Sequence, residues 1–89
     1  MPTEFTLEQN YPNPFNPSTS IQYSVVNSQN VMLKVFNVIG KEVAVLVNEK
    51  KEPGTYTIDF SAANLASGTY LYRLQAGEFV QTKKMVILK

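Results

Sequence analysis

Histidine and cysteine are the side chains that most readily serve as base, nucleophile or metal ligand near neutral pH, and this chain has neither. Imidazole bases, thiolate nucleophiles, disulfides and the usual zinc sites are therefore excluded. What remains for catalysis is a carboxylate pair, a Ser–Lys dyad or an activated tyrosine. Asp59 lies out of phase with Tyr56, Ile58 and Phe60, which points it to solvent. Glu4, Glu8, Glu42, Glu49, Glu52 and Glu78 fall mostly at strand ends and loops, where charge is ordinarily a solvated face. No acidic loop has the alternating ligands that calcium prefers. Gly40, Gly54, Gly68 and Gly77 are too scattered to cradle a phosphate and read as turn glycines. The expectation is a protein that is not an enzyme and takes no cofactor and no metal.

The five Tyr and five Phe could form a stacking surface for sugars. Most of them fall on the inward phase of strand patterns, which assigns them to a core instead. Tyr11 and Phe15 stand apart in a proline-rich segment. They are either a binding tip or a lid over one end of the core, and the lid is the favoured reading.

Binding to nucleic acid or lipid finds no support either. Net charge is +1, and the eight Lys and Arg are dispersed apart from Lys50-Lys51 and Lys83-Lys84, a poor footprint for a polyanion. The longest apolar run, Val43 through Val47, is far short of the ~20 residues a membrane helix needs, so no membrane insertion is expected. A signal peptide is not evident at the start. Met1 to Glu4 read as an added start or linker remnant, with the folded unit spanning residues 5–89.

The elements follow from period-two patterns broken by Gly, Pro and Asn. At 89 residues, 44% hydrophobic and 17% charged, the chain suits one domain with one core. Residues 5–9 alternate as a first edge strand. Three closely spaced prolines, Pro12, Pro14 and Pro17 among Asn10, Tyr11, Asn13, Phe15 and Asn16, exclude helix and sheet interior and define an ordered loop pinned by Tyr11 and Phe15. Ile21, Tyr23 and Val25 share one face of the next strand. Val31, Leu33 and Val35 share one face of a third.

Asn37-Val38-Ile39-Gly40 has the signature of a type I turn leading into a strand over residues 41–47. Residues 48–52 read as a charged loop that ends in a type II turn at Pro53-Gly54. Residues 55–60 form a strand with Tyr56, Ile58 and Phe60 inward, and residues 61–67 a connection with one helical turn at most. Tyr70, Tyr72 and Leu74 then line one face of a strand over residues 69–75. Ala76-Gly77 is a two-residue hairpin loop, and residues 78–88 a long last strand expected to bulge near residues 81–83. Seven strands and no amphipathic helix predict an all-β antiparallel sandwich.

At this point the sequence resembles a known family. Leu7-Glu8-Gln9-Asn10-Tyr11-Pro12-Asn13-Pro14-Phe15-Asn16-Pro17-Ser18-Thr19 is similar to the opening signature of type A sorting domains of the type IX secretion system. Val35-Phe36-Asn37-Val38-Ile39-Gly40-Lys41-Glu42-Val43 resembles the second strand pair of that family. Pro53-Gly54-Thr55-Tyr56, Leu65-Ala66-Ser67-Gly68-Thr69-Tyr70-Leu71-Tyr72-Arg73-Leu74 and Lys83-Lys84-Met85-Val86-Ile87-Leu88-Lys89 follow in the expected order.

The resemblance implies an immunoglobulin-like β-sandwich of about seven strands and a sorting signal carried by a covalently linked N-terminal cargo domain. Its partners would be the outer-membrane translocon with its shuttle components and a sortase-like surface peptidase, which commonly removes the domain and can attach the cargo to the surface. The route implied is periplasm in transit, then cell surface or extracellular space. Carried over position by position, translocon recognition falls on Pro53, Gly54 and Tyr56, on Gly68, Tyr70 and Leu74, and on Lys83, Lys84, Met85, Val86, Ile87, Leu88 and Lys89. Each has a structural alternative: turn, core, or charges guarding a strand edge. Rival functions are a carbohydrate-binding or adhesion module and a structural spacer domain of a secreted protein, which fold alone does not separate.

Overall fold

The computed structural model describes residues 4–88. Met1, Pro2, Thr3 and Lys89, and with them the expectations placed on those residues, lie outside this range. Seven strands run β1 (Thr6–Leu7), β2 (Ser18–Val25), β3 (Gln29–Phe36), β4 (Glu42–Lys51), β5 (Gly54–Ser61), β6 (Gly68–Ala76) and β7 (Phe79–Ile87). No helix occurs among the described residues. A three-stranded sheet, β1-β2-β5, and a four-stranded sheet, β4-β3-β6-β7, are both antiparallel. The expected all-β sandwich is what forms.

The period-two reading places the core. Ile21, Tyr23 and Val25 of β2, Val31, Leu33 and Val35 of β3, and Tyr72, Leu74, Met85 and Ile87 of β6 and β7 join one buried cluster. Alternate residues leave the core on the outer faces, as the pleat requires.

Local turn chemistry fixes the β3–β4 hairpin. Gly40 N donates to Asn37 O at 3.0 Å, the Asn37 carboxamide oxygen accepts from the Ile39 and Lys41 amides, and Gly40 has φ 85°. The type I turn predicted there is therefore present, closed by a left-handed glycine.

Other expectations need correction. The first strand is two residues long, because beyond Leu7 the chain turns away from a simple ladder. Residues 48–51 are no loop: Asn48, Glu49, Lys50 and Lys51 pair with Met32, Val31, Asn30 and Gln29. Their charge suits an edge strand, where it deters pairing with other chains, so composition misled where the ladder decided. The bulge expected in β7 is absent, since β6 and β7 stay in register from Gly68↔Ile87 to Ala76↔Phe79. Register shifts lie instead on β4 and leave Leu46 and Val43 without partners on β3.

Pro53-Gly54 makes no type II turn. Gly54 has φ 157°, far from the ~80° that turn demands, and already pairs with Val25 as the first residue of β5. Residues 61–67 hold a single turn, with Leu65 N donating to Ala62 O at 3.0 Å.

Ala76 pairs with Phe79, so the β6–β7 loop is Gly77-Glu78, one residue later than predicted. Gly77 has φ 62° and Glu78 does not share the positive sign, the pattern of a type II′ turn. An added Cβ would also meet the Gln29 carboxamide, which can swing aside, so backbone strain is the larger cost. Gly77→Val should lower unfolding free energy by about 1–3 kcal/mol. An unchanged urea midpoint would count against this turn.

Candidate functional site

All seven carboxylates are exposed, and the described residues hold no acidic cluster suited to a metal. Lys51 is held charged by Glu49 at 2.7 Å, which raises its pKa. Burial pushes the Tyr72 phenol up to about 12, away from any role as an anion near neutral pH.

The feature that organises one side of the sandwich is the segment from Glu8 to Pro17, a strap that leaves one sheet and joins the other. At its start Glu8 N donates to Gln22 O, and Tyr11 exchanges backbone hydrogen bonds with Ser20 of β2. At its end Phe15 N donates to Val86 O at 3.1 Å and Leu88 N to Phe15 O at 2.9 Å, a parallel bridge to the outer edge of β7. Gln9 Nε2 donates to Lys84 O at 2.7 Å, and Val86 N donates to Asn13 Oδ1 at 3.0 Å. The strap thus covers the β7 edge from Lys84 to Leu88. Four backbone groups that this stretch of edge could have offered a partner are thereby used inside the domain.

Two anchors hold the strap. The Phe15 ring is 2% exposed and sits edge-on to Phe60 at 6.3 Å. Asn10 is buried, its amide donating to the Tyr72 hydroxyl at 2.8 Å while that hydroxyl donates to Glu8 O at 2.8 Å. The Asn10 carboxamide donates to Thr19 Oγ1 at 3.0 Å and to Pro12 O at 3.2 Å. Thr19 Oγ1 in turn donates to Pro12 O at 2.9 Å. No buried side-chain polar atom among the described residues lacks a partner, as a polar network inside a core requires. Phe15 is the lid that the sequence suggested. Tyr11 is not: its ring is 81% exposed and only its backbone pins the strap. Pro12, Asn13, Pro14, Asn16 and Pro17 are exposed along the strap.

The other motif residues divide by burial. Tyr70, Leu74, Met85 and Ile87 are in the core, so any part they take in recognition by the folded domain passes through the scaffold. Tyr70 Oη donates to Ala66 O at 3.0 Å. Tyr56 is half-buried, stacks on Tyr23 at 5.5 Å and donates to Glu52 O at 2.6 Å, with Lys51 over its ring. Pro53 and Gly54 are half-buried at the start of β5, while Gly68 is exposed at the start of β6. Lys83 is half-buried on the inner phase of β7; Lys84 and Leu88 are exposed, and Val86 is half-buried. An inward-pointing lysine on an edge strand is a known guard against aggregation. Two features escaped the sequence reading: the Asn10–Tyr72 network, and Arg73, whose guanidinium lies 4.8 Å from the Phe36 ring centroid. Neither leaves a local signal, because each joins residues far apart in the chain.

Comparison with known proteins adds one positive result. No curated protein matches the chain. The family model described as a secretion system C-terminal sorting domain matches residues 9–88, from inside the strap to the end of the described residues. With the two-sheet fold and the ordered motifs already in place, the chain belongs to that family, the sorting domains that route secreted proteins through type IX export to the cell surface or the outside.

Proposed function

We propose that residues 5–89 act as a non-catalytic sorting unit, folded before export and handed by shuttle components to the outer-membrane translocon. A sortase-like surface peptidase then removes it and can attach the linked N-terminal cargo to the cell surface. The family match across residues 9–88 carries this reading. The strap supports a folded signal, because it ties the two sheets together and closes the β7 edge from Lys84 to Leu88.

Of the motif residues, those accessible in the fold are the ones proposed to meet the machinery: Pro53, Gly54 and Tyr56 at the β5 start, Gly68, and Lys83, Lys84, Val86 and Leu88 along the last segment, together with Lys89, which lies outside the described residues. Tyr70, Leu74, Met85 and Ile87 shape that surface from below. A sugar-binding module would need aromatic rings exposed in a row, and Tyr11 stands alone as an exposed ring among the described aromatics.

The test fuses the whole chain behind a periplasm-directed reporter in a bacterium with type IX machinery. The reporter should reach the surface, and its retention in the periplasm of a compatible host would refute the sorting assignment. Replacing Lys83, Lys84 and Lys89 by Gln should move stability by no more than about 0.5 kcal/mol. Reduced export of that folded variant assigns the lysines to recognition; normal export leaves them as edge guards.

A further inference from the structure

The two outer faces of the sandwich differ in chemistry. On the three-stranded sheet Ser20, Gln22, Ser24, Thr55, Thr57 and Asp59 point outward, and Ser20 and Asp59 satisfy one another at 2.7 Å. That face offers no apolar anchor. On the four-stranded sheet Phe36, Leu71, Arg73 and Thr82 line a depression of about 240 Å³, with Gly40 of the β3–β4 turn at one side. Small-molecule sites occupy about 300–1,000 Å³, so this one suits a single inserted side chain.

Beside it stand Val38 and Ile39, 71% and 82% exposed. The Asn37 carboxamide and the left-handed Gly40 hold the turn, so its conformation asks nothing of these two side chains. Two β-branched apolar residues there gain no burial within the domain. The charge beside them is positive. The two ion pairs among the described residues employ Lys34 with Glu42 and Lys51 with Glu49, while Arg73 rests on the Phe36 ring. A guanidinium in that position keeps its forked donors for a carboxylate.

We propose that this depression and the adjoining hairpin tip dock an acidic loop of the export machinery, which sets a carboxylate on Arg73 and an apolar side chain against Val38 and Ile39. Apolar contact flanked by complementary charge is how interfaces combine affinity with steering. The assignment rests on the sorting reading and adds the face that is read.

The whole chain fused to a periplasm-directed reporter tests it, with urea midpoints measured on the purified variants. Val38→Ser with Ile39→Ser should cut surface reporter by about tenfold or more and accumulate it in the periplasm, with the urea midpoint unmoved. Arg73→Glu should be worse than Arg73→Gln, and Arg73→Lys should recover part of the export. Gln22→Lys with Thr57→Lys on the opposite face should export normally. Normal export of the Val38/Ile39 variant from a fusion that works in its parent form overturns the proposal even if Arg73→Glu unfolds. Equal damage from the opposite-face variant overturns it as well. A parent fusion that never leaves the periplasm defeats the sorting reading, and this inference with it.

Discussion

Phe15→Ala should cost the domain about 3–5 kcal/mol, the range for deleting a buried phenylalanine ring. For 89 residues the whole unfolding free energy is only about 4–13 kcal/mol, so the variant sits near the limit of folding. The ring is buried against Phe60 while its own amide and carbonyl pair with Val86 and Leu88. Removing it leaves a cavity under the strap and loosens the four hydrogen bonds, from Gln9, Asn13 and Phe15, that close the β7 edge. An opened edge is a template for pairing with other chains. The variant should therefore also self-associate, visible as concentration-dependent elution in size-exclusion chromatography. Tyr11→Ala, on an exposed ring in the same strap, should cost no more than about 0.5 kcal/mol. Equal urea midpoints for the two variants would mean that the strap is not anchored through Phe15.

Tyr72→Phe removes one oxygen and should cost about 1–3 kcal/mol, because it leaves a buried donor and acceptor unmatched. The orphans are the Asn10 amide, which loses its acceptor, and the Glu8 carbonyl, which loses its donor. The same hydroxyl sets an alkaline limit on stability. Burial, the larger influence, raises the Tyr72 pKa to about 12, against the lowering effect of the bond from the Asn10 backbone. In the unfolded chain a tyrosine titrates near 10. Below about pH 10 the phenol is neutral in both states and its contribution is intact. Between about pH 10 and 12 the unfolded chain releases the proton while the folded domain retains it, so the unfolded state binds fewer protons and stability falls as pH rises. Burial also raises the pKa of Tyr23, which adds to the decline in the same direction. Urea unfolding at about pH 9 and about pH 11 should show the loss, and Tyr72→Phe should flatten it, leaving the parts due to Tyr23 and to Lys51, whose pKa is raised by Glu49. An identical slope in the variant would refute the assignment to Tyr72.

The covered β7 edge changes how the terminal motif is understood. Strand addition to an exposed sheet edge is a common mode of recognition, and a long last strand invites that reading. Here the Lys84 carbonyl, the Val86 amide and carbonyl and the Leu88 amide, which face away from β6, are taken by the strap. Selectivity that this stretch of backbone does not supply has to come from side chains on faces and turns, although β4 and β5 also end their sheets as edge strands. The hairpin tip at Val38 and Ile39 and the open rim of Arg73 meet that requirement.

What the chain declares by itself is what depends on near neighbours. The alternation of Ile21, Tyr23 and Val25, and of Val31, Leu33 and Val35, determined the inner faces because successive side chains in a strand must point to opposite sides. Asn37 and Gly40 determined their turn because its hydrogen bonds close within five residues. The lack of histidine and cysteine removed whole classes of chemistry without any fold.

Tertiary structure decided the rest. The charge of residues 48–51 gave no hint that they pair with β3, since a ladder uses backbone groups that every residue carries. Tyr11 and Phe15 looked alike in a proline-rich segment, yet Phe15 is buried and Tyr11 exposed. Which one turns inward depends on where Phe60 and the end of β7 lie. Asn10 reaches Tyr72 across 62 positions, and Gln9 reaches Lys84 across 75. Hydrogen bonds over such separations exist only after two sheets have packed, so the strap that closes the sandwich has no local signature in the residues that form it.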